Sequence, residues 1–521
     1  MNNFLSKLLQ HYSLTLEDFK KEEVLSIKDI KDFNAFKQAK TICDYLKEAI
    51  ANNKKILIYG DYDADGIMST SIIYLMLQSS SYTPGYYIPN REHDGYGITK
   101  DNIDHFHELG YEIIILVDNG ISSNENIDYI NSLGMECVIL DHHSIMGDIP
   151  KAKYIMHPDI DEYGEYNISA GEVSFFLSWA YLNRVDDYLL VLATISAIGD
   201  VMPVLGYNKI LIKEGLDRLN FSKIYDFKAI KNLVGTELPF NYIYTEEDIS
   251  HNVVPKINSI CRVLNDNSRF NIVKYFISGR NGLNPNLLNW INSVNIKRKA
   301  LVEDKKEIEI SDKDNAILTI NDSVEGISGL IASSLLSKYN KPSFVICKSH
   351  EKEGLYKGSA RAFQGFNVVE CLAEAGELLE AYGGHEGAGG FSLKEENIEK
   401  FREYINKKSA GIKMIPPSKN AIEIDISDVT LDNYHTLRRF APFGELHKAP
   451  RFKIKGLYRS QFTSDRLNKH LFFHPAYDTT IIYFNYNKSV DEKVTFDAIG
   501  SLKLNYFKDK ISIQFIIEEV E

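Results

Sequence analysis

Three carboxylates at alternate positions, Asp61, Asp63 and Asp65, crowd the stretch Asp61-Tyr62-Asp63-Ala64-Asp65-Gly66. It lies between an apolar run, Lys54-Lys55-Ile56-Leu57-Ile58-Tyr59, and a helix-like segment from Ile67 to Gln78. Carboxylates packed this tightly repel, so a fold that gathers them needs cations to offset the charge. A plainer reading is an Asp-rich turn capping a helix, because Asp is common at helix starts.

Two later sites follow apolar runs in the same way: Asp118 after Ile113 to Val117, and Asp141-His142-His143 after Val138-Ile139-Leu140. Short β-branched runs bounded by Gly, Asn or Asp read as buried strands, and their alternation with helical segments reads as a parallel sheet. Ligands of such sheets gather beyond the carboxyl ends of the strands, so the three clusters are expected to face one site. Asp200, after the helical stretch Tyr188 to Ile198, is a further candidate ligand. Hard oxygen donors mixed with one or two imidazoles suit Mn²⁺ or Mg²⁺ better than Zn²⁺, and several converging carboxylates suit two ions better than one.

At 521 residues the chain exceeds a single core. Its 44% hydrophobic and 25% charged residues are those of an ordinary soluble globular protein. The first residues lack a signal-peptide apolar core, and 188–198 is too short to span a bilayer, so a cytoplasmic protein without a membrane partner is expected. Five scattered cysteines with no Cys-x-x-Cys pair indicate neither a disulfide framework nor a thiolate metal site. A net charge of −13 argues against a coat protein held to nucleic acid by charge alone, yet leaves room for a local basic groove.

Polar helices are expected over 1–50, as a packing arm, and strand–helix alternation over 51–219. A helical connector should fill 220–312, where the charged run 295–307 describes a solvated helix face. A second, smaller α/β domain is expected over 313–415. The prolines in Ile415-Pro416-Pro417-Ser418-Lys419-Asn420 signal a linker. Beyond it, 416–521 carries short aromatic and β-branched runs at 451–458, 480–486 and 511–518 that favour an all-β domain.

Together, Gly60-Asp61-Tyr62-Asp63-Ala64-Asp65-Gly66, Val117-Asp118-Asn119-Gly120-Ile121-Ser122, Asp141-His142-His143 and Gly383-Gly384-His385 resemble the DHH phosphoesterase superfamily. Within it, Ile88-Pro89-Asn90-Arg91 and Gly95-Tyr96-Gly97-Ile98 resemble the RecJ family of single-strand-specific DNA exonucleases. The resemblance implies a parallel-sheet DHH domain, a DHH-associated second domain and a C-terminal OB-like β-barrel. It implies that Asp63, Asp65, Asp118, His142 and Asp200 hold two Mn²⁺ ions, or Mg²⁺ in their place, with Asp118 bridging and Asp61 a ligand or close partner.

By the same resemblance, His143 donates to a phosphate oxygen, while Arg91, Arg262, Arg361, Gly383, Gly384 and His385 bind substrate. Read alone, the Gly-rich loop is an ordinary turn and each Arg a surface ion-pair partner. The implied activity is 5′ to 3′ hydrolysis of single-stranded DNA in repair and recombination, by a monomer working beside a helicase and a single-strand-binding protein. The alternative within the superfamily is hydrolysis of short oligonucleotides or cyclic dinucleotides. A non-catalytic relative would have lost the carboxylates and imidazoles retained here.

Some positions depart from the family pattern. Tyr59 stands where relatives with small substrates often have a histidine, Ser323-Val324 where a Trp-His pair is common, Cys261 in place of a Gly, and Leu446-His447 within the Pro-Phe-Gly segment.

Overall fold

The computed structural model describes residues 3–91, 94–95, 97–164, 166–304, 314–322, 324–349, 352–414, 420–507 and 510–521. Tyr96, Ser323, the proline linker at 415–419 and the charges at 305–307 lie outside these residues.

The first sheet contains β1 (Ile56–Tyr59), β2 (Gly85–Tyr87), β3 (Ile113–Val117), β4 (Glu136–Leu140) and β5 (Tyr154–Met156). All pairs are parallel, in the order β2-β1-β3-β4-β5. Strands β1 and β3 are buried along their whole length, which is why they read as unbroken apolar runs rather than alternating ones. Helices Ala64–Gln78, Ala170–Leu182 and Asp187–Gly199 contribute to the core on one face, and Lys100–Glu108 and Asn124–Ser132 to that on the other. The chain leaves β1 towards β2 and returns on the opposite side at β3. The carboxyl ends of β1 and β3 therefore flank the switch point where a crevice opens, and the acidic turns follow directly from these strands.

Connector helices Val254–Val263, Asn271–Gly279 and Pro285–Glu303 extend the same core through Ile257, Ile260, Val273, Phe276 and Ile291. Beyond them, β6 (Ile317–Asn321), β7 (Ser343–Lys348), β8 (Leu355–Arg361), β9 (Ala381–His385) and β10 (Ala388–Lys394) form a second sheet in the order β6-β7-β8-β10-β9. Only β6 and β7 pair in parallel within it.

The third sheet consists of β11 (Ala421–Glu423), β12 (Arg451–Tyr458), β13 (Thr463–Ser464), β14 (Leu471–Ala476), β15 (Thr479–Tyr483), β16 (Thr495–Phe507) and β17 (Lys510–Val520). It is mixed, in the order β11-β12-β16-β17-β15-β14-β13, and its outermost strands do not pair with each other among the described residues. By this pairing it is an open sheet rather than a closed barrel.

The expected N-terminal arm divides between two cores. Phe4, Leu8, Leu9 and Phe19, from helices Asn3–His11 and Leu16–Glu23, enter the core of the third sheet, where Phe4 stacks on Phe452 and Phe19 on Phe440. Ile27 to Ala49 instead join the core of the first domain. Val204 N donates to Glu445 O at 2.8 Å, tying the loop after Asp200 to the segment before β12. No helix among the described residues is long and apolar enough to cross a membrane.

Leu8 is fully buried. Leu8→Ala should cost about 2–5 kcal/mol. Hydrogen exchange should show the loss in β12 and β16, with protection of β1 and β3 retained.

Candidate metal centre

Asp63 caps helix Ala64–Gln78, its Oδ1 accepting from Asp65 N at 2.9 Å and Gly66 N at 3.2 Å. The capping reading is thus realised, and it leaves the second oxygen free of the cap. Gly66 is required by close approach, because a Cβ there would lie 2.4 Å from Asp61 O. Asp65, in the first turn of that helix, is buried against the N-terminus of helix Ala170–Leu182. Its Oδ2 accepts from Ala170 N at 2.9 Å, and its Oδ1 from Gly171 N at 2.8 Å and Ser196 Oγ at 2.5 Å. Backbone amides and the positive helix end stabilise the carboxylate there.

Asp118 follows β3 directly, with φ of 63° in the left-handed region that Asp tolerates better than most residues. His142 Nε2 lies 3.4 Å from Asp118 Oδ1, 3.4 Å from Asp200 Oδ2 and 3.5 Å from Asp65 Oδ2. This nitrogen is buried without a hydrogen-bond partner, as is Asp61 Oδ1. Asn167 Nδ2 donates to His142 O at 2.9 Å, fixing the segment that carries the ring. Among the described residues, ligand atoms converge in three groups, Asp65-His142-Asp200, Asp61-Asp63-Asp118 and Asp118-His142-His143, each within 4.8 Å. Asp118 is common to the last two, and its Oδ1 faces the first through His142.

Electrostatics fit a site built for cations. Burial, then the neighbouring Asp63, pushes the Asp61 carboxyl well above the usual range. Burial and four surrounding carboxylates do the same to Asp118. Asp63 is raised by burial and Asp65, and Asp200 reaches about 8 for the same two reasons. Burial lowers His142, keeping a ring nitrogen available as a ligand. Carboxylates and a neutral imidazole with unpartnered buried atoms match the donor set of Mn²⁺ or Mg²⁺.

Asp141 is occupied with its own loop. Its Oδ1 accepts from His142 N at 2.7 Å and lies 2.8 Å from His143 Nδ1, and its Oδ2 accepts from Ile121 N at 2.9 Å. Burial opposes charge on the partly exposed His143, but the hydrogen bond and charge of Asp141 win and raise it to about 9. Tyr59 takes no place among the ligands. Its hydroxyl lies 2.9 Å from Gly97 O and 3.0 Å from Asn102 Oδ1, within the other core.

Arg91, Arg262 and Arg361 come from the first domain, the connector and β8. Burial, then Arg91, lowers both Arg262, to about 10, and Arg361, which marks a shared positive field. Arg262 Nη1 donates to Gly326 O at 3.2 Å, and Arg91 stacks over Tyr62. Gly383, Gly384 and His385 lie instead on β9, the exposed edge strand of the second sheet, outside the carboxylate groups. A Cβ at Gly384 would meet Ala388 O at 2.3 Å, so the hairpin itself requires that glycine.

The sequence alone does not single out Ala170, Gly171, Asn167 or Ser196. The pattern Ser169-x-x-Glu172 before an apolar run does signal a capped helix start. It says nothing of the carboxylate that the start receives.

Residues 55–199 match the DHH family, N-terminal domain; 315–410 match the DHHA1 domain; and 421–519 match the RecJ OB domain. Residues 55–199 thus form a DHH-type domain. The chain resembles RecJ in its C-terminal domain. It is 29% identical over 446 residues to the single-stranded-DNA-specific exonuclease RecJ of Bacillus subtilis, covering 83% of this chain and 56% of that protein. For RecJ of Thermus thermophilus the identity is 25%, over 79% of this chain and 60% of the relative. The chain thus spans little more than half the length of these two relatives.

Among solved structures, RecJ from Thermus thermophilus in complex with Mn²⁺ superposes with a TM-score of 0.76 at 21% identity, covering 93% of this chain and 72% of that one. An exonuclease RecJ bound to manganese gives 0.60 at 25% identity, covering 73% and 96%.

Asp118→Asn keeps the side chain's shape and removes a buried like charge. In metal-free protein it should raise stability, seen as a higher melting temperature in chelator. Calorimetry with Mn²⁺ should show heat of binding for the parent and its loss in the variant.

Proposed function

We propose that the chain is a divalent-metal-dependent exonuclease that hydrolyses single-stranded DNA from the 5′ end and releases 5′-mononucleotides, in DNA repair and recombination. The observation that carries the reading is the place of Asp118 between His142 and the Asp61–Asp63 pair, at the switch point of the parallel sheet. The description of the RecJ relatives as single-stranded-DNA-specific exonucleases supports it, as does manganese in the RecJ structure at 25% identity.

Asp65, His142 and Asp200 would hold one ion and Asp61 and Asp63 a second, with Asp118 reaching both. Bound there, the ions supply neutralising charge at the phosphoryl group and a more acidic water. The remaining residues orient and bind. Protonated His143, steadied by Asp141, donates to a phosphate oxygen at the rim. Arg91, Arg262 and Arg361 grip the backbone with planar guanidinium groups. Gly383, Gly384 and His385 present the second domain to the strand, and the C-terminal domain adds a further surface of the kind that stacks bases. A dinucleotide would leave that last surface without use. A cytoplasmic monomer working beside a helicase and a single-strand-binding protein fits this role.

An oligonucleotide labelled at its 5′ end should yield labelled mononucleotide with Mn²⁺, none from blunt duplex, and none with Asp118→Ala. Intact label on single strands with Mn²⁺ would sink the reading.

With His143 acting as a protonated donor, the rate should fall on an alkaline limb as this imidazole loses its proton. Asp141→Asn removes the charge that raises the imidazole, so the alkaline limb should move to lower pH, as a pH–rate profile measures.

A further inference from the structure

Four oxygen atoms stand in a row behind the carboxylate cluster. Asp65 Oδ1 is 2.5 Å from Ser196 Oγ, which is 2.7 Å from Ser169 Oγ, which is 3.0 Å from Glu172 Oε2. All four residues are buried. We propose that Ser196 is a positioning residue for Asp65, held by a one-way hydrogen-bond chain that starts at Glu172 and selects the carboxylate oxygen facing the metal. This rests on the two-metal reading above.

Counting hydrogens gives the chain its direction. Three gaps of hydrogen-bond length need three hydrogens, and the two hydroxyls supply one each. Asp65 Oδ1 already accepts from Gly171 N, so the shortest gap takes the hydrogen of Ser196. The hydrogen of Ser169 then points to Ser196. The third hydrogen is assigned to Glu172, because Asp65 has a backbone donor on each oxygen whereas Glu172 has one only on Oε2, from Ser169 N at 2.8 Å. Burial raises its pKa to about 8, in agreement, and its other oxygen is buried with no hydrogen-bond partner to stabilise a charge.

The geometry states what the chain does for Asp65. Oδ1 is taken by Ser196, by Gly171 N and, at 3.2 Å, by Ser69 Oγ, whereas Oδ2 accepts from Ala170 N and lies 3.5 Å from His142 Nε2. Ser196 thereby pins one oxygen away and leaves the other aimed at His142 and Asp200. Gly171 makes the approach possible, since a Cβ there would lie 2.2 Å from Ser196 Oγ. The chain spans two helices, Ala170–Leu182 and Asp187–Gly199, and the second ends at Asp200. Ser196 thus sits one turn before one candidate ligand while steadying another.

The test is Mn²⁺ binding by calorimetry to the full chain and to Ser196→Ala, with melting temperature and end-labelled digestion alongside. About tenfold weaker Mn²⁺ binding is expected for Ser196→Ala, the lower end of what outer partners of metal ligands contribute. Its digestion rate should recover at raised Mn²⁺, with a melting temperature near that of the parent. Ser196→Cys, a similar volume with a weaker donor, should fall between the two and serves if the alanine variant does not fold.

In Mn²⁺-loaded protein at neutral pH, Glu172→Gln should remove an infrared band of a protonated carboxylic acid. A parent chain that binds no Mn²⁺ would overturn the metal reading itself. A parent that binds while Ser196→Ala binds equally well would overturn only the positioning role, and an unchanged carboxylic-acid band in Glu172→Gln would overturn the chain's direction.

Discussion

Like charge confined at the carboxyl ends of β1 and β3 is the constraint around which the first domain is arranged. Asp61, Asp63, Asp65, Asp118 and Asp200 cannot all ionise in a buried crevice without compensation. Part of the compensation is internal: Asp63 takes the amides that begin its own helix, and Asp65 those that begin the helix at Ala170. Two helix N-termini thus point into one crevice. What they leave over, an unpartnered oxygen on Asp61 and an unpartnered nitrogen on His142, is the part that calls for cations. The same crowding that makes the metal-free site unstable makes it a strong receptor for divalent charge.

Those elements whose cause is local were legible in the sequence. Strands β1 and β3 were readable because burial on both faces leaves no polar residue in the run. The acidic turns were readable because each interrupts such a run at its end. The late strands β12, β15 and β17 are also legible from their β-branched and aromatic content.

Causes that act at a distance were hidden. Nothing in Asp65 announces that Ala170 and Gly171, more than a hundred residues on, will supply its donors. Ser196 is one small residue in an apolar helix, and its role exists only once that helix lies beside the carboxylate. The family resemblance makes Gly383 and Gly384 substrate contacts, and nothing local announces that Gly384 also answers to the carbonyl of Ala388 across a hairpin. The arm 1–50 carries an evident apolar stripe, but a stripe does not name its partner, and the first half packs with residues beyond 420.

That last feature bears on how the chain is made. Phe4, Leu8, Leu9 and Phe19 complete a core whose other members run from Ile424 to Ile517. A ribosome adding about 5–20 residues per second needs on the order of 20–90 s to go from one set to the other. Through that interval the first helices have no place to dock, while Ile27 to Ala49 and the parallel sheet can already close around the acidic turns. The nascent chain therefore carries an exposed apolar segment at 4–19 until the strands of the third sheet arrive, and that core cannot close before residues 424–517 have been made.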